Sequence, residues 1–269
     1  MQKNTIQFGK NTVTKTSTPD LMRIEVEKTR LAFEIGKDSG LFRVPEVVEY
    51  NEDKGVAVFE RIYGINPVWS VANRSSQYKS LIEQIGRSLA VIHRKLVLPD
   101  KMTIALTDEF NLPGTEVFFH GDFNGINVCV SACSPSVVIL DWQMTSRHGG
   151  RATYGSRYFD IIWFINYILW TPTIHYLFSD PVSNMARDYL ESYFKESGLS
   201  YNMREFVQYA KDFFNTKLPF RKEHTSWKAR YLLKRSNILT ERFVRSLETM
   251  MPDGNIHSIR SQKQKGSIL

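Results

Sequence analysis

The sequence predicts an α+β fold with two unequal lobes, a small β-rich N-terminal lobe that holds one helix and a larger helical C-terminal lobe. Up to about residue 60, short β-branched stretches flank a single helical segment. From about residue 65 onward, apolar residues recur at helical spacing. We therefore expect an N-terminal lobe with its hinge at 1–64, a C-terminal lobe at 65–251 and a basic, disordered tail at 252–269.

The N-terminal lobe contains three predicted strands, at 12–16, 45–50 and 55–60, because these segments are rich in β-branched or aromatic residues and end in polar turns. Between the first two, Thr18-Pro19 is typical of a helix start, with Thr18 as N-cap and Pro19 at the first helical position. One side of this predicted helix carries the stripe Leu21, Ile24, Lys28, Leu31 and Phe33.

In the C-terminal lobe, apolar residues from Tyr78 to Leu96 form one continuous stripe at helical spacing, which predicts a helix. A group of short apolar segments follows and predicts strands within this lobe. The strands are expected at 117–119, 127–130 and 137–140, and further helices at 156–170, 183–197, 203–214 and 224–250.

The composition is that of a globular protein, with 42% hydrophobic and 23% charged residues and a formal net charge of +7. A basic surface favours anionic partners such as nucleotides or phosphosugars, and it is compatible with peripheral contact with an anionic membrane surface. No nucleic-acid recognition motif accompanies the basic residues. The sequence carries no signal for an oligomeric state.

The two cysteines, Cys129 and Cys133, fit neither a disulfide framework nor a four-ligand zinc site, so we expect a cytoplasmic protein. The apolar stretch 158–178 is long enough to span a bilayer, but it contains Asp160 and Pro172. A buried helix that ends before Pro172 is the better interpretation, and no transmembrane segment is expected.

A dense group of polar residues lies in the segment from His120 to Asp141. His120-Gly121-Asp122 follows a predicted strand, Asn127 comes five residues after Asp122, and Asp141 ends the apolar strand at 137–140. Carboxylate and amide oxygens are the ligands that magnesium prefers. Phosphoryl transfer from ATP needs such ligands, and it needs a carboxylate that orients the acceptor hydroxyl. This ordered set is far more specific than any one of its members.

The set resembles the catalytic segment of the aminoglycoside phosphotransferase and choline kinase family, which has the protein-kinase-like fold. The segment Val58 to Gly64 resembles the family's hinge, Gln84 to His93 its helix ending in Leu-His, and Arg157 to Trp163 its Tyr-Asp-Leu-Ala-Trp segment. The resemblance covers roughly residues 12–165, and it implies ATP and Mg²⁺ as cofactors.

By this resemblance, Asp122 is the catalytic base or hydroxyl-orienting residue, and Asn127 and Asp141 are the magnesium ligands. Asp160 is expected to brace the catalytic loop through hydrogen bonds. His120 is expected to support the loop without transferring a proton.

In the small lobe, Lys15 matches the strand lysine that contacts the α- and β-phosphates, and Glu27 matches the helix glutamate that pairs with it. Lys10 and Glu25 are the alternatives, because one sequence cannot fix the register. Adenine is expected to bond to the hinge backbone near Glu60 and Ile62. The sequence departs from the family before Lys15: this segment holds one glycine, in Phe8-Gly9-Lys10-Asn11, so we expect the loop over the phosphates to be short or missing.

The sequence thus predicts an ATP-dependent phosphotransferase that acts on a hydroxyl of a small molecule, such as a sugar or amino alcohol. The first alternative is a non-catalytic, kinase-like binding module, which the short N-terminal segment motivates. A protein kinase is the second alternative, although the usual closing motif of an activation segment is missing from the sequence. The identity of the acceptor stays open.

Overall fold

The computed structural model describes residues 5–68, 78–131, 136–144, 150–170, 181–198, 202–224 and 230–249. The expected disordered tail at 252–269 lies outside these ranges. Within them, a β-rich N-terminal lobe precedes a helical C-terminal lobe, as the sequence predicts.

The small lobe is a four-stranded antiparallel sheet in the order β1-β2-β5-β4. β2 (Thr12–Thr16), β4 (Val47–Asn51) and β5 (Val56–Glu60) are the predicted strands. β1 (Thr5–Phe8) was not predicted, and it forms the edge of the sheet beside β2.

The predicted helix of the small lobe is α1 (Pro19–Ser39), which begins after an extended Thr18 and ends at Gly40 with a left-handed φ of 64°. Its first half packs on the sheet, where Met22 and Val26 meet Ala57 and Phe59. Its second half enters the core of the large lobe, to which Ala32 and Ile35 belong. Helix α1 therefore connects the two lobes.

A second four-stranded sheet lies at the junction of the lobes, in the order β3-β9-β8-β6. It contains β3 (Phe42–Arg43), β6 (Ile65–Pro67), β8 (Val128–Ser131) and β9 (Val137–Ile139). β8 and β9 are antiparallel neighbours, so the start of β8 and the end of β9 lie at the same end of the sheet. β7 (Glu116–Phe118) pairs separately with β10 (Tyr154–Ser156).

The large lobe is built from helices packed around an aromatic core. α2 (Tyr78–Lys95) and α4 (Pro181–Ser197) approach so closely that a Cβ on Gly86 would lie 2.5 Å from the carbonyl oxygen of Tyr189. The remaining helices are α3 (Tyr158–Trp170), α5 (Met203–His224) and α6 (Arg230–Thr249). α5 runs further than the predicted end at 214, even though Pro219 lies within it.

The apolar stretch beginning at Tyr158 forms α3, which ends at Trp170, before Pro172. Its residues Phe159, Ile162 and Phe164 are fully buried in the core of the large lobe. In the ranges that the structure describes, none of the helices is long and apolar enough to cross a membrane.

Candidate active site

Lys15 joins the two lobes at the candidate site. Its Nζ lies 2.5 Å from Glu25 Oε1 on α1 and 2.8 Å from Asp141 Oδ1 after β9. Burial by itself would lower the pKa of Lys15, but the two carboxylates raise that pKa above its ordinary value. Lys15 is therefore a fixed positive charge next to Asp141.

The prediction that Glu27 pairs with Lys15 is wrong, and the alternative Glu25 is the partner. Residues two apart on a helix point in nearly opposite directions. Glu25 faces the sheet and is buried, whereas Glu27 is only partly buried. The alternative lysine, Lys10, is exposed in the turn between β1 and β2.

Asp122 is held by donors on both carboxylate oxygens. The indole Nε1 of Trp163 donates to Oδ1 over 2.8 Å, and the Asn127 amide nitrogen donates to Oδ2 over 2.9 Å. Burial raises the pKa of Asp122 and the charge of Asp141 adds to the rise, while these hydrogen bonds oppose it. The carboxylate is thus fixed in one orientation.

Asn127 and Asp141 lie side by side because of the strand pairing. Asn127 immediately precedes β8, Asp141 lies two residues after the end of β9, and the Leu140 N–H donates to the Asn127 carbonyl over 2.9 Å. Since the Asn127 amide nitrogen faces Asp122, its amide oxygen Oδ1 is turned away from that carboxylate.

Asp141 has a φ of 57°, the one positive value at a non-glycine residue in the described ranges. An aspartate in this left-handed region carries backbone strain, which proteins retain mainly at functional sites. The strained residue lies where the chain turns away from the end of β9, and its side chain contacts Lys15 there.

Oxygen ligands from Asn127 and Asp141 suit a hard divalent cation such as magnesium. In the ranges that the structure describes, there is no cluster of three or more His, Cys, Asp or Glu side chains that would hold a metal by itself. Magnesium commonly takes one or two protein ligands and completes its shell with phosphate oxygens and water. The donor set therefore fits a metal that is bound together with a nucleotide.

The backbone of the loop before Asp122 is bound by Asp160, a fully buried residue of α3. Asp160 Oδ2 accepts from the His120 N–H over 2.7 Å, and Oδ1 accepts from the Gly121 N–H over 2.9 Å. Burial alone would raise the pKa of Asp160, but the hydrogen bond from His93 and these backbone donors hold that pKa below its ordinary value. Asp160 is therefore an anion beneath the loop.

The imidazole ring of His120 connects the backbone at Asp122 to the backbone at Leu140. Its Nδ1 accepts from the Asp122 N–H over 3.1 Å, so the ring proton lies on Nε2, which donates to the Leu140 carbonyl over 3.1 Å. Burial lowers the pKa of His120 to about 4, and the ring is neutral at physiological pH. Gly121 follows with a φ of 88°, a conformation that favours glycine.

Three residues near Asp122 were missed by the sequence analysis. Asn124 Oδ1 accepts from the N–H groups of Ile126 and Asn127, over 2.8 and 3.1 Å, and so shapes the loop as an Asx turn. Trp163 orients Asp122, as described above. Buried Lys28 donates from Nζ to the His120 carbonyl over 2.6 Å. Its position in the otherwise apolar stripe of α1 was the available signal.

The predicted hinge residues lie where the small sheet ends. Glu60 ends β5, its N–H donates to the Glu46 carbonyl over 2.8 Å, and its side chain pairs with Arg43. Ile62 lies two residues further along the chain segment that leads to β6.

The turn between β1 and β2 lies at the hinge end of the sheet. Thr12 pairs with Glu60, and the Arg61 N–H donates to the Asn11 carbonyl over 2.9 Å. Lys15 lies at the opposite end of β2. Within the described residues, which start at Thr5, this turn therefore lies away from the Lys15 end of the sheet.

One half of the sheet face that carries Lys15 is left uncovered by α1. Directly paired residues of antiparallel strands share a face, so Ile6 lies on the face of Lys15, and Phe8 on that of Val13. Ile6 and Phe8 are 54% and 70% exposed. The guanidinium of Arg61 lies 5.5 Å from the Phe8 ring centre.

The sequence matches no family model, and a search of curated proteins finds no match either. Solved structures do match. A choline/ethanolamine kinase family protein from Mesorhizobium loti superimposes with a TM-score of 0.54 at 12% identity, over 92% of this chain and 90% of that chain. Macrolide 2′-phosphotransferase MphH from Brachybacterium faecium gives a TM-score of 0.50 at 11% identity, over 84% of this chain and 83% of that chain.

At such low identity, this similarity is evidence about the fold. It confirms the expected architecture, because both similar structures match this chain across its β-rich and its helical parts. The chain therefore has the bilobal, kinase-like fold of these two structures.

Proposed function

We propose that the protein is an ATP-dependent phosphotransferase that moves the γ-phosphate of ATP to a hydroxyl of a small molecule. The observation that carries the proposal is the contact of Lys15 with Asp141, 2.8 Å long, beside the loop of Asp122 and Asn127. One cation from the small lobe thus meets an oxygen-rich site of the large lobe.

Asp122 orients the acceptor hydroxyl and takes its proton. As the acceptor oxygen bonds to the γ-phosphorus, its O–H bond breaks, and so does the bond between the γ-phosphorus and the bridging oxygen. ADP leaves with the electron pair of that bond, and the proton passes from Asp122 to water. The donors Trp163 and Asn127 hold the carboxylate in place for this step.

Asn127 Oδ1 and the Asp141 carboxylate are the protein ligands for magnesium. A metal held by these two residues would supply positive charge that offsets the negative charge of the ATP phosphates. Lys15 lies against Asp141 and supplies a positive charge for the α- and β-phosphates. Glu25 holds Lys15 from the other side, so the lysine stays extended into the site.

The nucleotide base fits the uncovered, apolar part of the sheet face. Ile6, Phe8 and Val13 share the face of Lys15, and Val13 lies two residues before it on β2. Two residues of a strand span about 7 Å, so a base packed on Val13 would lie that distance from Lys15, on the side of the hinge. The backbone at Glu60 and Ile62 lies at the same end of the sheet and supplies polar contacts to adenine.

The acceptor is proposed as a small molecule with a hydroxyl group, such as a sugar or an amino alcohol. The two proteins of similar structure are named as a choline/ethanolamine kinase family protein and a macrolide phosphotransferase, and these names support a small-molecule acceptor.

The test combines binding with turnover. Calorimetry with ATP and Mg²⁺ should show binding, and ADP release should appear with some member of a panel of sugars, amino alcohols and related hydroxyl compounds. Asp122→Asn should keep nucleotide binding and lose about 10²–10⁴-fold in kcat, because a general base contributes that much. Asp108→Asn is the control, since Asp108 is exposed in a separate turn.

Other outcomes assign another function. Nucleotide binding without turnover on any acceptor, and with no effect of Asp122→Asn, indicates the non-catalytic binding module. Phosphate that appears on protein substrates and on no small molecule indicates a protein kinase. Failure to bind ATP with magnesium contradicts the proposal outright.

A further inference from the structure

The ammonium group of Lys28 is fully buried between α1 and the loop that carries Asp122. The residue is 0% exposed, and its Nζ donates to the His120 carbonyl over 2.6 Å. Nζ also lies 5.9 Å from the centre of the Phe119 ring. Because an ammonium is costly to bury, its retention here calls for a compensating role.

Lys28 and Asp160 hold the same peptide unit from opposite ends. The carbonyl of His120 accepts from Lys28, and the amide N–H of Gly121, in the same peptide plane, donates to Asp160. A positive group from α1 and a negative group from α3 thus fix the plane of the His120–Gly121 peptide, one residue before Asp122. Rotation of this plane would break both hydrogen bonds.

Lys28 also follows Glu25 by one helical turn on α1. Residues three apart lie on the same side of a helix, so Glu25 and Lys28 both face the candidate site. Glu25 pairs there with Lys15, and Lys28 donates to the loop at His120. The first half of α1 packs on the small sheet through Met22 and Val26, and its second half packs in the core of the large lobe through Ala32 and Ile35. The helix therefore links the phosphate-binding lysine to the backbone beside Asp122.

We propose that Lys28 is a positioning residue that makes the orientation of Asp122 depend on the placement of α1 and its Lys15–Glu25 pair. This inference rests on the proposed phosphotransferase function. Lys28 touches no substrate in this scheme, and it acts through the His120–Gly121 peptide. A displaced α1 would release Lys15 and the catalytic loop together.

Lys28→Met tests the inference, because methionine keeps much of the side-chain volume and removes the donor and the charge. Val26→Ala is the matched control, since it trims one apolar side chain of the same helix and leaves both the Lys15–Glu25 pair and the Lys28–His120 hydrogen bond in place. Amide hydrogen exchange across residues 118–123 is the first readout. Lys28→Met should speed exchange in this segment well beyond the change caused by Val26→Ala.

Turnover is the second readout. Lys28→Met should lower kcat about 100-fold, the loss expected from a misplacement of about 1 Å at a reacting group, whereas Val26→Ala should retain kcat below its melting temperature. Lys28→Gln keeps a donor without a charge and should fall between Lys28→Met and the wild type. It replaces Lys28→Met in every comparison if that variant does not fold.

A double-mutant cycle distinguishes coupling from separate structural damage. If Lys28 transmits the placement of α1, the loss of kcat in Lys28→Met combined with Glu25→Gln should be smaller than the product of the two single losses. A loss equal to the product, or loop exchange equal to that of Val26→Ala, overturns the inference. If the wild-type protein shows no phosphotransfer, the proposed function fails, and the exchange experiment alone decides whether Lys28 holds the loop.

Discussion

The two sides of the candidate site differ in how completely the protein itself holds them. In the large lobe, both carboxylate oxygens of Asp122 accept hydrogen bonds. The nearby His120–Gly121 peptide is bound by Lys28 and Asp160. In the small lobe, Ile6 and Phe8 expose 54% and 70% of their surface toward the solvent. The protein thus fixes the proposed catalytic residues and leaves the proposed base-binding face exposed.

Lys15 lies at the border between these two regions. It belongs to the small sheet, yet its charge is held by Glu25 on α1 and Asp141 in the large lobe. We therefore expect large effects on stability for changes at Lys15 and its partners, moderate effects for the loss of a donor to Asp122, and small effects on the exposed face.

The largest effect on stability is expected from Glu25→Gln. This change leaves the buried Lys15 ammonium with one carboxylate instead of two. An unpaired buried charge costs about 3–5 kcal/mol of unfolding free energy, and because Asp141 still pairs with Lys15 we expect a loss near the lower end of that range. Denaturant unfolding measures the loss, and turnover should fall with it. Glu27→Gln is the control and should stay within about 0.5 kcal/mol of the wild type, because Glu27 is partly exposed. Equal losses in both variants would contradict the assignment of Glu25.

A moderate effect is expected from Trp163→Phe, which removes the indole donor to Asp122 and keeps an aromatic ring. A hydrogen bond to the ionised carboxylate lowers the pKa of Asp122, so its loss raises that pKa. A hydrogen bond to a charged group contributes about 1.5 kcal/mol. The acid limb of the pH–rate profile should then move to higher pH, because the lost bond favoured the ionised carboxylate. A profile that stays in place would show that the indole does not stabilise the carboxylate.

The smallest effect is expected from Phe8→Ala on the exposed face. Loss of a stacking surface for the base should cost about 1 kcal/mol, seen as a roughly fivefold rise in KM for ATP with kcat unchanged. Gln7→Ala is the control, because Gln7 pairs with Thr14 and lies on the opposite face of the sheet. A KM that rises equally in both variants would indicate a general disturbance of β1.

The grouping of Asp122, Asn127 and Asp141 in the large lobe could be predicted because its signals are local in the sequence. The spacing of Asp122 and Asn127 falls within one loop, and Asp141 follows directly on an apolar strand. Antiparallel pairing of β8 and β9 is then enough to bring Asn127 and Asp141 to the same end of the sheet.

The partner of Lys15 could not be predicted, because it depends on how α1 is packed. The apolar stripe of the sequence runs through Leu21 and Leu31, yet both are only partly buried. Two lobes cover α1, so its buried arc is wide and includes the polar residues Glu25, Lys28 and Thr29. Periodicity alone describes a helix packed on one surface, and it misses charges buried between two.

Strand β1 escaped prediction for another reason. All four of its residues are exposed, so the segment has no buried face to mark it as a strand. Its pairing with β2 depends on the turn at Gly9, whose N–H donates to the Thr12 carbonyl over 2.9 Å. The same pairing places Ile6 and Phe8 on the face of Lys15.

The most direct test of the central claim is transfer of labelled γ-phosphate from ATP to a small-molecule acceptor, measured for the wild-type and Asp122→Asn proteins side by side. We expect the wild type to form a phosphomonoester in step with ADP, and the variant, although it still binds ATP with magnesium, to form almost none. Undiminished transfer by Asp122→Asn, or ATP hydrolysis with no labelled acceptor from a broad panel, would contradict the proposed function.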